Sequence, residues 1–202
     1  MRLFLVRHAV TPETGVVLSG RAPGIGLSEE GRRAARATAE MLAHLRPRAL
    51  VTSPLERCRE TAEIVGGRLQ RSAVIDEAYI EADYGSWSGR RLSSVRRLKG
   101  WGALMAGASR FRFPQGETLD EVRIRAVGAT ESLAGSLPAG AVAIVVSHAD
   151  VIRVLLAHYL GMPLDLVHRL RVAPASVSVV ELPSQGSPLV SVVNQQAPGV
   201  GA

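Results

Sequence analysis

The sequence predicts an α/β fold, a three-layer α/β/α sandwich whose central sheet is mostly parallel and ends in a C-terminal edge hairpin. Short apolar segments alternate with amphipathic helical patterns along the chain, which is typical of parallel sheets. The segment 142–147 is apolar at almost every position, as expected for a strand buried on both faces. The β-rich segments 176–182 and 188–194 are separated by Ser-Gln-Gly, which predicts an antiparallel hairpin.

The composition predicts one globular domain spanning 1–202, and the charge predicts that this domain binds a small anion. Of the 202 residues, 47% are hydrophobic, which is enough for one well-buried core. The 24 Lys and Arg outnumber the 18 Asp and Glu, and the net charge is +6 at pH 7. The basic residues are dispersed and aromatics are few, which favours a small anion over nucleic acid. A single cysteine, no apolar membrane-spanning segment and no signal-peptide pattern favour a cytoplasmic protein.

The first predicted elements are a strand over 3–6, an ordered loop over 11–26 and a helix. Four consecutive apolar residues form the strand, and Pro, Gly, Thr and Ser mark the loop. The helix begins after Ser28, a typical N-cap followed by two acidic residues, and it ends before Pro47.

A second strand over 49–52 leads directly into a second helix. Ser53 and the glutamate three residues later form a capping-box pattern, so we expect the helix to cover 54–65. The two glycines that follow predict its end. A third, weaker strand is predicted over 73–75, and it is followed by a loop over 79–89.

The second half of the chain continues the alternation. Residues 91–106 have a helical pattern, residues 111–116 a loop pattern, and Thr118 opens a capping box whose helix runs to about 137. After the buried strand at 142–147, a mostly apolar helix is predicted over 150–160 with Asp150 as its N-cap. The final residues 198–202 are expected to fray.

Polar side chains occur where the predicted strands end. Arg7 and His8 follow the first strand, and Arg57 lies in the first helical turn after the second. Glu81 follows the third strand, and His148 follows the buried fourth. Because parallel strands open a ligand crevice at their carboxyl ends, these five side chains are expected to converge there.

That set of side chains suits chemistry on a phosphoryl group. Guanidinium groups match phosphate oxygens, and helix N-termini add backbone donors. A neutral imidazole can attack phosphorus and form a covalent phosphohistidine. A carboxylic acid can protonate the leaving oxygen and then accept a proton from water.

Five motifs, in this order along the chain, resemble the histidine phosphatase superfamily, in the branch of cofactor-dependent phosphoglycerate mutases and broad phosphatases. The motifs are Leu5-Val6-Arg7-His8, Ser53-Pro54-Leu55-Glu56-Arg57-Cys58-Arg59-Glu60-Thr61-Ala62, Glu81-x-x-x-Gly85-x-Trp87-x-Gly89, Phe113-Pro114-x-Gly116-Glu117-Thr118 and Val145-Val146-Ser147-His148. The resemblance extends from residue 3 to about residue 194.

The resemblance implies specific roles for the strand-end residues. His8 resembles the histidine that is phosphorylated, and Glu81 resembles the proton donor. Arg7, Arg57 and His148 resemble the rest of the phosphate pocket. Neither a cofactor nor a metal ion is expected.

Further residues resemble the substrate side of the family's site. Thr14 stands where the family often has an asparagine, and Ser19, Gly20 and Arg21 match the lining loop. Ala149 follows the second histidine of the site and is expected to contact substrate.

The sequence departs from the family pattern at two glycine positions. Ala9 and Ala149 stand where the family commonly has glycine, and their methyl groups are expected to narrow the phosphate pocket. Residues 90–115 form a covering insertion that is short for a phosphoglycerate mutase, which favours a phosphatase.

The leading prediction is a phosphatase that hydrolyses a small phosphomonoester. The alternatives are a 2,3-bisphosphoglycerate-dependent phosphoglycerate mutase and a non-catalytic protein that binds phosphate or a partner. The expected partner is a small phosphorylated metabolite, with no nucleic acid and no membrane, and a homodimer is possible.

Several other residues have alternative interpretations. Glu77 and Asp83 are carboxylates close enough in sequence to replace Glu81 as the proton donor. Residues expected to serve packing or the surface are Cys58, His44, His158, His168, Trp87 and Trp101. For the two tryptophans, a lid role and a contact with substrate are also open.

The electrostatics of the site predict two pKa shifts. Neighbouring arginines should lower the pKa of His8 below about 6.5 and keep its imidazole neutral. A bound phosphate dianion should raise the pKa of Glu81 and keep its carboxyl protonated.

Overall fold

The computed structural model describes residues 1–199, which form one six-stranded sheet flanked by helices. The strands are β1 (Arg2–Arg7), β2 (Ala49–Thr52), β3 (Val74–Ile75), β4 (Val142–Ser147), β5 (Val177–Glu181) and β6 (Leu189–Gln195). In the order β3-β2-β4-β1-β5-β6, the first four strands are parallel, and β5 and β6 pair antiparallel at one edge. The predicted parallel sheet and edge hairpin are confirmed.

Two helical layers cover the sheet. The helices are α1 (Glu29–Met41), α2 (Glu56–Leu69), α3 (Leu92–Val95), α4 (Lys99–Ala106), α5 (Leu119–Ser136) and α6 (Ala149–Tyr159). Leu3 and Leu5 of β1 belong to the core that includes α5 and α6, whereas Phe4 and Val6 belong to the core that includes α2. Because successive strand residues point to opposite faces, one apolar strand supplies both cores.

Two of the predicted helix starts are confirmed by their capping bonds. The Ser28 hydroxyl accepts a hydrogen bond from the Gly31 N–H at the start of α1. At the start of α5, Thr118 and Glu121 accept each other's backbone N–H in a complete capping box.

The predicted boundaries of α2 are wrong at both ends. The helix begins at Glu56 and Ser53 does not cap it, since the Ser53 hydroxyl is hydrogen-bonded to His148 Nε2 at 2.7 Å. Both glycines expected to end the helix lie inside it. A Cβ at Gly66 would come within 2.3 Å of the Arg71 carbonyl oxygen, so this glycine permits close packing, and the left-handed Gln70 ends the helix.

The predicted N-cap of α6 is also wrong. His148 occupies the cap position in an extended conformation, and Asp150 is the second residue of the helix. The Asp150 carboxylate accepts hydrogen bonds from the Tyr84 hydroxyl and the Arg153 guanidinium instead of capping the backbone.

The segment between the third and fourth sheet strands lies against the loop that follows β1. A 3-10 turn at Gly85–Trp87 precedes α3 and α4, which together occupy most of the predicted helical region 91–106. An isolated β-bridge joins Val17 to Arg91, so the segment is attached to the loop over 11–26.

No helix within residues 1–199 has the length and apolar character needed to cross a bilayer. The prediction of fraying over 198–202 falls mainly on residues 200–202, which lie outside the described residues.

Candidate active site

A cavity of about 390 Å³ lies at the carboxyl ends of β1 and β4. Four of the five predicted catalytic side chains line it, namely Arg7, His8, Arg57 and Glu81. His148, the fifth, lies behind them without lining the cavity, and its ring centroid is 5.3 Å from that of His8. The strand ends thus bring all five residues together.

His8 has the geometry of an uncharged nucleophile. Its Nδ1 lies 2.8 Å from the carbonyl oxygen of Ala9, and a carbonyl can only accept, so Nδ1 carries the proton. The Nε2 atom of the neutral ring therefore keeps its lone pair. Burial is the main cause that lowers the pKa of His8 well below 6.5, and the charges of Arg7 and Arg57 lower it further. The predicted direction is confirmed, although burial dominates.

The two arginines beside His8 hold buried N–H groups that need an acceptor. Arg57 Nη2 donates to the Gly20 carbonyl at 2.6 Å, and Arg7 Nη1 donates to the Val172 carbonyl at 2.8 Å. Arg57 Nη1 and Arg7 Nε are buried and have no hydrogen-bond partner among residues 1–199. Since buried donors are nearly always satisfied, these two groups indicate an anionic ligand.

Glu81 is a buried carboxyl whose environment favours its protonated form. Burial raises its pKa to about 7, and the negative charge of Asp150 adds to the effect. This shift of the pKa is present in the protein alone, whereas a bound phosphate was expected to cause it. Of the two alternative carboxylates, Glu77 is exposed and Asp83 accepts a hydrogen bond from the Gly85 N–H. Neither lines the cavity.

His148 is completely buried and is held from two sides. Its Nε2 is hydrogen-bonded to the Ser53 hydroxyl, and its Nδ1 lies 4.0 Å from Glu81 Oε2. Burial and the neighbouring cationic groups lower the pKa of this imidazole well below 6.5. Cys58 lies in the same cluster with its Sγ 3.3 Å from His148 Nε2, and burial raises the pKa of the thiol. Cys58 therefore packs as an uncharged side chain, as predicted.

Three polar residues of the cavity, Tyr84, Asp150 and Arg153, were not assigned a role in the site from the sequence. The Tyr84 hydroxyl donates to Asp150 Oδ2 at 2.8 Å, and Arg153 Nη1 donates to Asp150 Oδ1 at 2.7 Å. All three line the cavity, as does His168, which was predicted to be a surface or packing residue. The position of Asp150, two residues after a strand-end histidine, is the one sequence signal that could have indicated the group.

Comparison with known proteins gives the family. The family model described as the histidine phosphatase superfamily (branch 1) matches residues 3–195, which is nearly the whole chain. The chain belongs to this superfamily. It is 30% identical over 183 residues to the probable phosphoglycerate mutase GpmB of Erwinia tasmaniensis, covering 90% of this chain and 85% of that protein.

Solved structures of other histidine phosphatases share the fold. A mycobacterial glucosyl-3-phosphoglycerate phosphatase complexed with VO3 superposes with a TM-score of 0.87 at 26% identity, covering 96% of this chain and 99% of the other. A putative alpha-ribazole-5'-P phosphatase from Escherichia coli has a TM-score of 0.85 at 25% identity, covering 100% and 99%.

The predicted substrate-side residues of this histidine phosphatase divide into two groups. Thr14, Ser19, Gly20 and Ala149 line the cavity. Arg21 does not, because its guanidinium forms an ion pair with Glu117 at 2.8 Å and donates to the carbonyl oxygen of Glu81. This corrects the predicted contact of Arg21 with substrate: the Arg21 side chain instead supports the backbone at Glu81.

The alanines at the two family glycine positions have different surroundings. Ala9 is fully buried, packs in a cluster with Leu27 and Ala35 and does not line the cavity. Its N–H donates to the Thr61 hydroxyl at 3.1 Å, which attaches the segment after β1 to α2. Of the two alanines, only Ala149 lines the cavity, so the expected narrowing of the phosphate pocket can come from Ala149 alone.

Proposed function

We propose that this histidine phosphatase hydrolyses small phosphomonoesters through a phosphohistidine on His8, with Glu81 as the proton donor. The observation that carries the proposal is the pair of buried guanidinium N–H groups that find no partner in the described part of the chain and lie next to a neutral imidazole. Arg7 and Arg57 would hold the phosphoryl oxygens, so that phosphorus faces the His8 lone pair.

The first step transfers the phosphoryl group to the enzyme. The Nε2 lone pair of His8 forms a bond to phosphorus while the bond from phosphorus to the alcohol oxygen breaks. The proton held by Glu81 passes to the departing oxygen, so the alcohol leaves uncharged. The arginines stabilise the negative charge spread over the three phosphoryl oxygens.

The second step releases phosphate and restores the enzyme. Water attacks phosphorus and loses a proton to the Glu81 carboxylate while the bond between phosphorus and Nε2 breaks. His8 returns to its neutral state with Nδ1 still bound to the Ala9 carbonyl. We also propose that residues 90–115 cover the site and limit the access of bulk water.

The test is phosphate release from p-nitrophenyl phosphate by the wild-type enzyme and three variants. We expect His8→Ala to lose at least about 10³-fold in kcat, because the covalent route is removed. Glu81→Gln should lose about 10² to 10⁴-fold. The exposed His44 offers a matched control, and His44→Ala should retain wild-type activity.

A covalent intermediate gives a second readout. Wild-type enzyme mixed with ³²P-labelled substrate and quenched in alkali should carry an acid-labile label, and His8→Ala should carry none. Turnover that persists in His8→Ala would contradict the proposal. Binding of phosphate without any turnover would favour the non-catalytic alternative.

Phosphoglycerate mutase is the second candidate, and the relatives named GpmB favour it. A mutase must bind the carboxylate of its substrate as well as the phosphoryl group. Arg112, a cation of the covering insertion 90–115, is not placed for that role, since it forms an ion pair with Glu121 at 2.6 Å outside the cavity. Measured interconversion of 3- and 2-phosphoglycerate faster than phosphate release would identify a mutase.

A further inference from the structure

One wall of the cavity is apolar, and binding of a phosphoryl group alone would not use this wall. Six side chains form this apolar wall: Trp87, Leu92, Trp101, Leu104, Met105 and Phe113. All six come from one continuous stretch of chain, residues 87–113, whereas the phosphate-binding groups come from the ends of the sheet strands. The cavity therefore combines a polar part and an apolar part of separate origin.

The cavity has room for a substrate larger than inorganic phosphate. About 390 Å³ lies within the range of roughly 300–1,000 Å³ for sites that enclose most of a drug-sized ligand. If the phosphoryl group occupies the space beside His8, the remaining space is available to the alcohol part of the ester. The apolar wall is thus placed to contact the leaving group.

The apolar wall is preformed. Ring centroids of Trp87 and Phe113 are 5.6 Å apart in an edge-to-face arrangement, and Phe111 packs against both at 5.4 and 5.3 Å. A Cβ at Gly100 would come within 2.8 Å of the Trp87 ring, so α4 lies directly on the indole. Rings fixed in this way offer contact area to a ligand with little loss of conformational entropy.

Part of the apolar wall is exposed. Met105 is 38% exposed and Trp101 is half-buried, although Trp87, Leu104 and Phe113 are buried. Core packing explains the three buried side chains but not the apolar surface that the other two present to solvent. Exposed apolar surface beside a ligand site is typical of a binding surface.

Two arginines line the cavity beside the apolar wall, and they differ in their partners. Arg153 is bound to Asp150 and to the Leu170 carbonyl, and the Arg96 guanidinium lies 6.0 Å from the Trp101 ring centroid. The Arg96 guanidinium thus lies over the face of the indole and is exposed, with no ion pair among residues 1–199. The charge of Arg153 is balanced by Asp150, which disfavours a second anionic group of the substrate beside that arginine.

We infer that the preferred substrates are phosphomonoesters of alcohols that carry an aromatic or similarly flat apolar ring, which lies against the apolar wall. The inference rests on the proposed phosphatase function. The apolar ring contributes binding energy at a site remote from the reacting atoms, and Tyr84 connects the two parts. Its ring packs against Phe113 at 4.9 Å, while its hydroxyl is bonded to Asp150.

The experiment compares substrates with similar chemistry at phosphorus. Ethyl phosphate and 3-phenylpropyl phosphate are both esters of primary alcohols, and the phenyl ring of the second is too remote to activate the leaving group. We expect kcat/KM to be at least about tenfold higher for 3-phenylpropyl phosphate, since burial of an aromatic side chain has an effect of that order. 3-Phosphoglycerate, which adds a carboxylate instead, should be no better than ethyl phosphate.

Variants of the exposed part of the apolar wall test whether these residues cause the preference for 3-phenylpropyl phosphate. Trp101→Ala and Met105→Ala should each reduce the ratio of the two kcat/KM values, by about tenfold for the tryptophan and less for the methionine. Ile124 is 58% exposed on α5 and does not line the cavity, so Ile124→Ala is a matched truncation that should keep the wild-type ratio. Circular dichroism of each variant verifies the fold.

Failure of the inference and failure of the proposed function have different outcomes. Equal kcat/KM for the two alkyl phosphates, preference for 3-phosphoglycerate, or a ratio unchanged in both wall variants would overturn the inference while His8-dependent turnover remained. Absence of His8-dependent phosphate release from every ester would instead refute the proposed function.

Discussion

At the scale of single residues, burial favours in His8 and Glu81 the two protonation states that the proposed reaction needs. It keeps the imidazole neutral and raises the pKa of the carboxyl to about 7, because the charged form of each group is the one that loses hydration. A single physical cause therefore shifts the two pKa values in opposite directions, as is typical of acid–base sites.

This arrangement predicts an asymmetric pH profile. Activity should fall as the pH rises through about 7, where Glu81 loses the proton it donates. On the acidic side, protonation of His8 should reduce activity only well below pH 6.5. The second ionisation of a phosphomonoester, near pH 6, contributes equally to every variant, so comparisons between variants isolate the enzyme groups.

Asp150→Asn tests which groups set the fall of activity at high pH, the alkaline limb of the profile. The Asp150 charge helps to raise the pKa of Glu81, and its removal also frees Arg153, whose positive charge favours the carboxylate. Both effects should move the alkaline limb of kcat to lower pH. The measurement is kcat at saturating substrate between pH 5 and 9.

Tyr84→Phe is the matched control for that change. It removes the hydrogen bond to Asp150 but keeps the carboxylate and its ion pair with Arg153. The alkaline limb should stay close to its wild-type position. A limb that is unmoved in Asp150→Asn would show that Asp150 does not act on Glu81.

At the scale of elements, α2 brings Arg57 to the cavity and is held by close packing at its far end. The Thr61 hydroxyl accepts from the Ala9 N–H and donates to the Arg57 carbonyl, so the first turns of the helix are attached to the segment that carries His8. At the other end, Gly66 lies against β2, where a Cβ would come within 2.9 Å of a Leu50 methyl group.

The two adjacent glycines of α2 should respond to alanine in opposite directions. Gly66→Ala should destabilise the protein by about 1–3 kcal/mol, because the added methyl group would overlap the Arg71 carbonyl. Gly67→Ala should stabilise it by about 0.5–1 kcal/mol, since no atom of residues 1–199 outside the helix's own backbone lies within 4 Å of an added Cβ and alanine is the better helix former. Urea unfolding of both variants measures the difference, and equal effects would be inconsistent with the packing described.

At the scale of the whole molecule, the site depends on loops from separate parts of the chain. Glu117 accepts hydrogen bonds from Arg21 and Arg125 and from the Asp83 N–H, which ties the loop after β1 to the Glu81 segment. Anion binding should add to these connections, because Arg7 and Arg57 each keep an unpartnered donor among residues 1–199.

Inorganic phosphate should therefore stabilise the fold. At a concentration of 100 times Kd, binding to the native state contributes about 2.7 kcal/mol, which corresponds to an increase in Tm of roughly 5–10 °C for a chain of this size. Thermal unfolding followed by circular dichroism measures the shift. Sodium chloride of equal ionic strength should have a smaller effect, and Arg57→Ala should remove most of the phosphate-specific shift. An identical shift with both salts would argue against the anion site.

Much of the fold and of the site could be predicted because the signals are local. The apolar run of β4, the caps of α1 and α5 and the turn residues of the hairpin each depend on neighbouring residues in sequence. The placement of polar side chains at strand ends has the same origin. The errors at α2 and α6 arise where a local signal competes with a distant partner: Ser53 bonds to His148 instead of capping its helix.

By itself, the sequence determined the order of strands and helices and the residue types at the strand ends. Only the tertiary structure decided that Arg21 is bound by Glu117, that Asp150, Tyr84 and Arg153 form one group, and that the 87–113 segment gives the cavity an apolar wall. The physical reason is the separation along the chain of the groups that interact. Hydrophobic periodicity and capping depend on a few neighbouring residues. Burial, ion pairing and cavity shape depend on groups that are far apart in the chain and meet only after folding.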